Sequence, residues 1–452
     1  MKGIVGVFAL GVTQFAALSL GQAVTQEVGV RSGVMELSMK RAVDIALTPE
    51  GSARVALAEE SIRVSDTHVT EARAAFFPKV DGTVTERRQT INLHTFGFNF
   101  QFPGFSIPSI VGPFNVFEAR TSAEQTVLDF TTIRKYQASR TGLQAARADL
   151  DVTRDQVSEQ VARAYLASLR EDAAFQTARA NVDLSQALEK LAQSQKDAGT
   201  GTGIEVTRAQ VQLSNDRQRL TVAENNRRRA VLQLLRTMGL DLDTDVRLSD
   251  ALSYQTVDTA AVEALLKTAR QGRSDLKAQA QHQQNARMNY TAVEAERMPS
   301  VAAFGDYGTI GNEIVGAHPT YTMGIELKVP IFDGRRRAAR REESLAQYRE
   351  EEIRTRDLGL QVDLDVRLAL DRLRSADSEV QTAREGLTLA QSELEQAQRR
   401  YQAGVANSLE ITDAQTRLDR ARDNQVEALY DHNLARLELA AATGAIQEYV
   451  HK

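Results

Sequence analysis

The residues able to do acid–base, metal or nucleophilic chemistry are scattered along this chain without the spacings such chemistry needs. Cysteine is absent, which removes thiolate metal sites, thiol nucleophiles and any disulfide framework. His68, His94, His282, His318, His432 and His451 show no ligand spacing, so no metal is assigned. No nucleophile stands beside a base. Gly199-Thr200-Gly201-Thr202-Gly203 is rich in glycine, but it lies between two helical tracts rather than after a strand, and so fails the context test for a nucleotide loop. What remains is a pair of carboxylates, Glu410 and Asp413, about one helical turn apart and therefore on one side of their helix. They stand beside a helix start, where acids also complement the helix dipole. No enzyme and no cofactor are indicated.

The elements that must carry these residues are long helices. The chain has 452 residues, 42% apolar and 25% charged, with a net charge of −5. That balance fits neither a nucleic-acid binder nor an acidic disordered tail. Its eight prolines are unevenly placed: none lies between Pro113 and Pro299, and none follows Pro330. Ala, Leu, Arg, Gln and Glu dominate those tracts, a composition of helices rather than of compact α/β domains. At the start, Lys2, an apolar run from Ile4 to about Leu20, and Gly21-Gln22-Ala23 have the form of an export leader over residues 1–23. The competing reading is a spanning helix, but Gly11 and Gln14 break the run, which falls short of the ~20 residues a span needs. With no cysteine to carry a lipid, membrane attachment is expected to fall to the polypeptide itself.

A duplication organises the rest. Gly199 and Gly404, Glu205 and Glu410, and Gln210 and Gln415 are each separated by 205 residues, as are Gly239 and Gly444, which end helical tracts. Upstream, Phe77-Pro78-Lys79-Val80 matches Met298-Pro299-Ser300-Val301, and Val127-Leu128-Asp129 matches Ile331-Phe332-Asp333. The expected repeats are 24–240, with a β-hairpin at about 80–128, and 259–452, with a hairpin at about 301–331; a polar segment, 241–258, joins them. Each half reads as helix, strand pair, very long helix, glycine turn and returning helix. The tracts are Met35–Phe76, Val80–Val127, Thr131–Ala198 and Ile204–Met238, then Thr259–Arg297, Val301–Ile331, Arg335–Ala403 and Leu409–Thr443. A tract of about 65 residues spans on the order of 100 Å.

Tyr321, Met323, Ile325, Leu327 and Val329 alternate with polar or small residues, apolar on one face only. A tilted membrane β-strand needs ~9–11 residues. In the first half Phe96, Phe98, Phe100 and Phe102 show the same spacing, returning through Phe114, Val116 and Val127. In a bilayer every backbone donor and acceptor must be paired, so a sheet spans only as a closed barrel. The smallest barrels have ~8 strands. Four strands per chain therefore require more than one chain, and three chains would supply twelve.

Leu358, Leu360, Val362, Leu364, Val366, Leu368 and Leu370 also alternate, yet they lie within a proline-free run of strong helix formers. On a helix, residues 358, 362, 366 and 370 form one stripe and 360, 364 and 368 another, roughly opposite. Two seams suit a helix with a neighbour on each side, as in a ring; a simple surface helix has one, and so does a long antiparallel coiled coil.

Together these features resemble the TolC-type outer-membrane efflux protein family over nearly the whole chain beyond the leader. The most specific portion is Tyr401-Gln402-Ala403-Gly404, Ser408-Leu409-Glu410-Ile411 and Ala414-Gln415, similar to the family's repeated turn at the far end of its helical hairpins. The resemblance implies a mainly α fold with membrane β: a periplasmic α-helical barrel and an outer-membrane β-barrel shared between the protomers of a homotrimer. It implies a periplasmic adaptor and an inner-membrane efflux pump or ABC secretion transporter as partners, outer-membrane lipid around the strands, and no nucleic acid. It places Glu410, Asp413, Glu205 and Arg208 at the periplasmic entrance, where three copies of the acids would favour cations. Gly199, Gly203, Tyr401, Gly404 and Ser408 become adaptor contacts, and Tyr321, Met323, Ile325, Leu327 and Val329 face lipid. Arg208 is a departure, because Asp413 holds the matching position in the second half. The implied role is an exit duct for efflux or type I secretion. An exported coiled-coil scaffold and a passive outer-membrane pore are the alternatives, and the cargo is left open.

Overall fold

The computed structural model describes residues 34–97, 101–102, 105–106, 109–256 and 261–451; the expected leader, residues 1–23, lies outside them. The first half runs β1 (Met35–Leu37), α1 (Met39–Ala46), α2 (Ala53–Ala74), β2 (Lys79–Asn92), β3 (Gln101–Phe102), β4 (Phe105–Ser106), β5 (Ile110–Leu128), α3 (Phe130–Asp197) and α4 (Gly203–Thr237). After β6 (Val246–Leu248) the second half runs α5 (Val262–Gly272), α6 (Ser274–Glu294), β7 (Ser300–Gly311), β8 (His318–Lys328), α7 (Arg336–Gln402), α8 (Ser408–Thr443) and α9 (Ile446–His451). The same order of long elements recurs in the two halves. The four longest helices begin and end within about one residue of the tracts read from proline and glycine placement.

Local chemistry sets those ends. The Asp129 carboxylate accepts the Thr131 amide at 2.9 Å and starts α3. Asp333 accepts the Arg337 amide at 3.0 Å in the equivalent place before α7. With 68 residues in α3 and 67 in α7, each rod is about 100 Å long at ~1.5 Å per residue. Among the described residues no helix is long and apolar enough to cross a membrane.

The first tract of each half is not the single helix expected from Met35–Phe76 and Thr259–Arg297. In the first half β1 precedes α1, and the turn between α1 and α2 passes through Gly51; in the second, Arg273 separates α5 from α6. The reason is a close approach. Gly239, at φ +69°, ends α4 against Gly51, and a Cβ on it would stand 2.1 Å from the Gly51 carbonyl oxygen. Gly444, at φ +74°, ends α8 against the other break, where a Cβ would lie 2.6 Å from the Arg273 nitrogen. Each break makes room for the glycine that closes its own half.

The main core lies mid-length on the rods. Leu37, Val43, Val55, Val161, Leu234, Met238, Leu437 and Ile446 pack there around buried Tyr165. The Tyr165 hydroxyl is 2.9 Å from the Leu37 carbonyl and 2.8 Å from an Asp250 oxygen. The polar joining segment takes part, because β6 pairs in parallel with β1, Leu37 facing Leu248.

The sheet has order β2-β5-β7-β8 with every pair antiparallel, so the two hairpins join into one layer through β5 and β7. Here the first-half expectation needs correcting. The strand opposite β5 is β2, ending at Asn92, and not the Phe96–Phe102 alternation. Leu93–Phe96 form a turn of 3₁₀ helix ended by Gly97 at φ +74°, Phe98 and Phe100 lie outside the described residues, and Phe102 pairs with Phe105. The glycine turn stops the strand before the phenylalanines.

Candidate functional site

The two hairpin tips have the same backbone plan and different polar fittings. Each outgoing helix ends in a left-handed glycine, Gly199 at φ +74° and Gly404 at φ +71°. At the first tip Glu205 accepts the Thr202 amide at 2.8 Å, the reciprocal half of a capping box. At the second, the Asn407 side chain accepts the Leu409 and Glu410 amides at 3.1 and 3.2 Å. The acid at the first helix start is therefore tied to its own backbone, whereas Glu410 is left to find a side-chain partner.

The expected entrance residues come together only in part. Arg208 donates to the Ser408 hydroxyl at 3.5 Å, joining the first hairpin to the second. Glu205, Arg208, Tyr401, Ser408 and Ile411 line one crevice between the hairpins. Glu410 turns to Arg400, with Nε–Oε1 at 2.9 Å. Asp413 is 3.3 Å from Arg417, which also binds Glu393. Both acids are thus partly neutralised within the protomer. Tyr401 departs from its expected role as an adaptor contact: it is 7% exposed and packs with Leu394 and Ile411. Burial, then the Glu205 charge, pushes its phenol above the usual range. Gly199, Gly203 and Gly404 are exposed at the tips, and Ser408 is half-buried.

The sheet has one apolar and one polar face. Tyr321 faces Tyr307, Ile325 faces Ala303 and Leu327 faces Val301. Tyr321, Met323, Ile325, Leu327 and Val329 are all exposed in the protomer. On the other face Arg120 of β5 reaches Glu118 at 2.8 Å, Thr320 at 3.1 Å and also Asp306. Among the described residues the outer strands β2 and β8 each have one neighbour within the sheet. On α7, Val362, Val366 and Leu370 are buried, while Leu360, Leu364 and Leu368 are exposed. The second seam of α7 is therefore uncovered within one protomer.

A family model described as outer membrane efflux protein matches residues 48–240 and 265–445. The chain belongs to the outer membrane efflux protein family. Among its relatives, the pyoverdine export outer membrane protein OpmQ of Pseudomonas aeruginosa is 24% identical, over 83% of this chain and 78% of OpmQ. The protein CyaE of Bordetella pertussis is 25% identical, over 91% of this chain and 85% of CyaE. The Campylobacter jejuni CmeC outer membrane channel shares the fold at 14% identity, with a TM-score of 0.76 over 90% of this chain and 85% of that one.

Channels of this family are homotrimers that work with periplasmic adaptors and inner-membrane pumps or ABC transporters. The chain is an outer-membrane exit duct for efflux or secretion, not an enzyme. Among the described residues of one protomer, β2 and β8 lack outer neighbours and the second seam of α7 lacks a packing surface, and these are the features that a trimer has to cover.

Sequence reasoning missed a polar junction above the tips. Ser185 on α3 donates to Asp216 on α4, and Gln415 on α8 donates to Ser185. Gln212 donates to both Asp216 oxygens, at 3.3 and 3.2 Å. Asp419 on α8 is 2% exposed, and neither of its oxygens has a hydrogen-bond partner among the described residues. Its ion-pair partner is Arg219, 3.5 Å away and equally 3.5 Å from Asp216. Burial first, and Asp216 second, push the Asp419 carboxyl up to about 6. No local signal marked it: Asp419 follows Gln415 by about one helical turn, but nothing in the sequence shows which helices pack around them.

Proposed function

We propose that the paired hairpin tips form the periplasmic entrance of the duct, with Arg208 and Ser408 holding it closed. The observation that carries this reading is their 3.5 Å contact, which bridges the two hairpins at the end of the rods. It is long and exposed, so it can be broken without leaving a buried group unpaired. Glu205 lines the crevice beside that contact, and Glu410 and Asp413 follow Ser408 on the first turns of α8. Glu205 is held by its cap, whereas Glu410 and Asp413 are held by arginines that a moving helix could release. Three copies would then present acids to a narrow bore and favour cations. Exposed Gly199, Gly203 and Gly404, with Ser408, are the surfaces for the adaptor, because loop residues at the ends of rigid rods are accessible.

In this reading residues 24–240 and 259–452 are the two structural repeats, 241–258 is the joining segment and residues 1–23 are the leader. Tyr321, Met323, Ile325, Leu327 and Val329 meet lipid. The relationship to a pyoverdine export protein makes pyoverdine one cargo to try first.

The test is single-channel recording of the purified trimer in planar bilayers. Arg208→Ala is expected to raise open probability severalfold while the trimer stays intact in detergent. An unchanged open probability would remove Arg208 from the gate.

A further inference from the structure

Between the tips and the central core, three helices from two hairpins meet at carboxylates that are unequally served. Asp216 accepts hydrogen bonds from Ser185 and Gln212. Asp419 accepts none from the described residues, although its side chain is 3% exposed. One guanidinium, Arg219, must serve both acids. The groups that act on Asp419 are Asp216 and Arg219 from α4, and Arg422 and Asp423 from its own helix. Arg422 is occupied by Asn181 on α3. From α3 the junction also receives Ser185, while Glu171 lines the groove leading to it and is paired with Arg170 at 2.7 Å. On the α7 side, Glu393 is taken by Arg417.

We propose that Asp419 is a positioning residue for the entrance: its protonation locks the second hairpin against the first, and its ionisation loosens them. The proposal rests on the reading of the hairpin tips as the gate. A carboxyl without hydrogen-bond donors is stable in this junction when neutral. When ionised it leaves two buried negative charges to one arginine.

A carboxyl raised from 3.8 to about 6 on docking favours the docked state most when protonated. That preference is complete below about pH 4 and is lost as pH rises to about 6; a shift of about two units is roughly a hundredfold in the docked-to-undocked ratio. Near neutrality the junction is ionised and held by Arg219, so the entrance is ready to open. In acid it is locked.

The experiment records open probability of the intact trimer in planar bilayers from acid to neutral pH. For the wild type, opening should rise between about pH 4 and about 6. Asp419→Asn should flatten the profile and keep the channel closed. Arg219→Gln removes a charge that lowers the Asp419 pKa, so its midpoint should move upward. Asp419→Glu should restore a titration. The proposal is overturned if Asp419→Asn keeps the wild-type profile or if Arg219→Gln leaves the midpoint in place. Arg208→Ala in the same bilayers separates the two readings: if it fails to open the channel while Asp419→Asn still flattens the pH profile, the gate residue is wrong and the junction stands.

Discussion

The two helical hairpins share a backbone and differ in charge. Both tips end in a left-handed glycine, and both returning helices end in another that packs into a break earlier in the same half. Yet Arg208 stands where the second half has Asp413, and the first tip is capped by Glu205 while the second uses Asn407. Asp419 and Asp216 have no acidic counterparts either: 205 residues away lie Ser214 and Ala421. Duplication preserved what geometry demands. The polar contacts between hairpins come from positions where the halves diverged.

The largest expected effect tests the shared geometry. Gly239→Ala meets a carbonyl oxygen 2.1 Å from its new Cβ, and Gly444→Ala an amide nitrogen at 2.6 Å. With the left-handed backbone and the overlap together, each should lose about 2–4 kcal/mol, Gly239→Ala the more. Thermal unfolding of the trimer would show it, and a neutral Gly239→Ala would mean the first break has another cause.

Next come the two hairpins of the sheet. Ile325→Lys, in the middle of the apolar face of β8, should cost about 2–4 kcal/mol per chain and lower the yield of heat-modifiable trimer. Val84→Lys lies on the same face in β2, opposite Ala119 at the middle of β5, whereas Ile325 is level with Gln125 near the helical end of the sheet, so the loss at Val84 should be at least as large. A much smaller loss at Val84 would contradict the assigned depth.

The smallest effect is at the tips. Neither Gly199 nor Gly404 has a described atom within 4 Å of an added Cβ. Each substitution to alanine should therefore show only the left-handed penalty, about 1–2 kcal/mol, and the two should match. A large difference would show that the tips are not equivalent in backbone.

Much of this is legible in the sequence. Proline-free tracts and paired glycines locate the long helices, and the alternation through Tyr321–Val329 locates β8 and its apolar face. The Leu358–Leu370 run has the period of a strand and belongs to a helix, with exposed Leu364 and buried Val366 on opposite sides. The first hairpin escapes such reading because the phenylalanine alternation has strand periodicity, while Gly97 ends the 3₁₀ turn that stops the strand before it. The helix breaks are invisible locally because their cause lies far away, in Gly239 and Gly444. Asp419 is hidden for the same reason: one acid on a helix says nothing of the helices packed around it.

Opening must separate the two hairpins of each protomer if Arg208 and Ser408 hold the entrance closed. Because the chain has no cysteine, Arg208→Cys with Ser408→Cys can be bridged by a short reducible bis-thiosulfonate linker without side reactions at native thiols. Conductance should fall when the linker is in place and return on reduction. Full conductance with the linker intact would contradict the account.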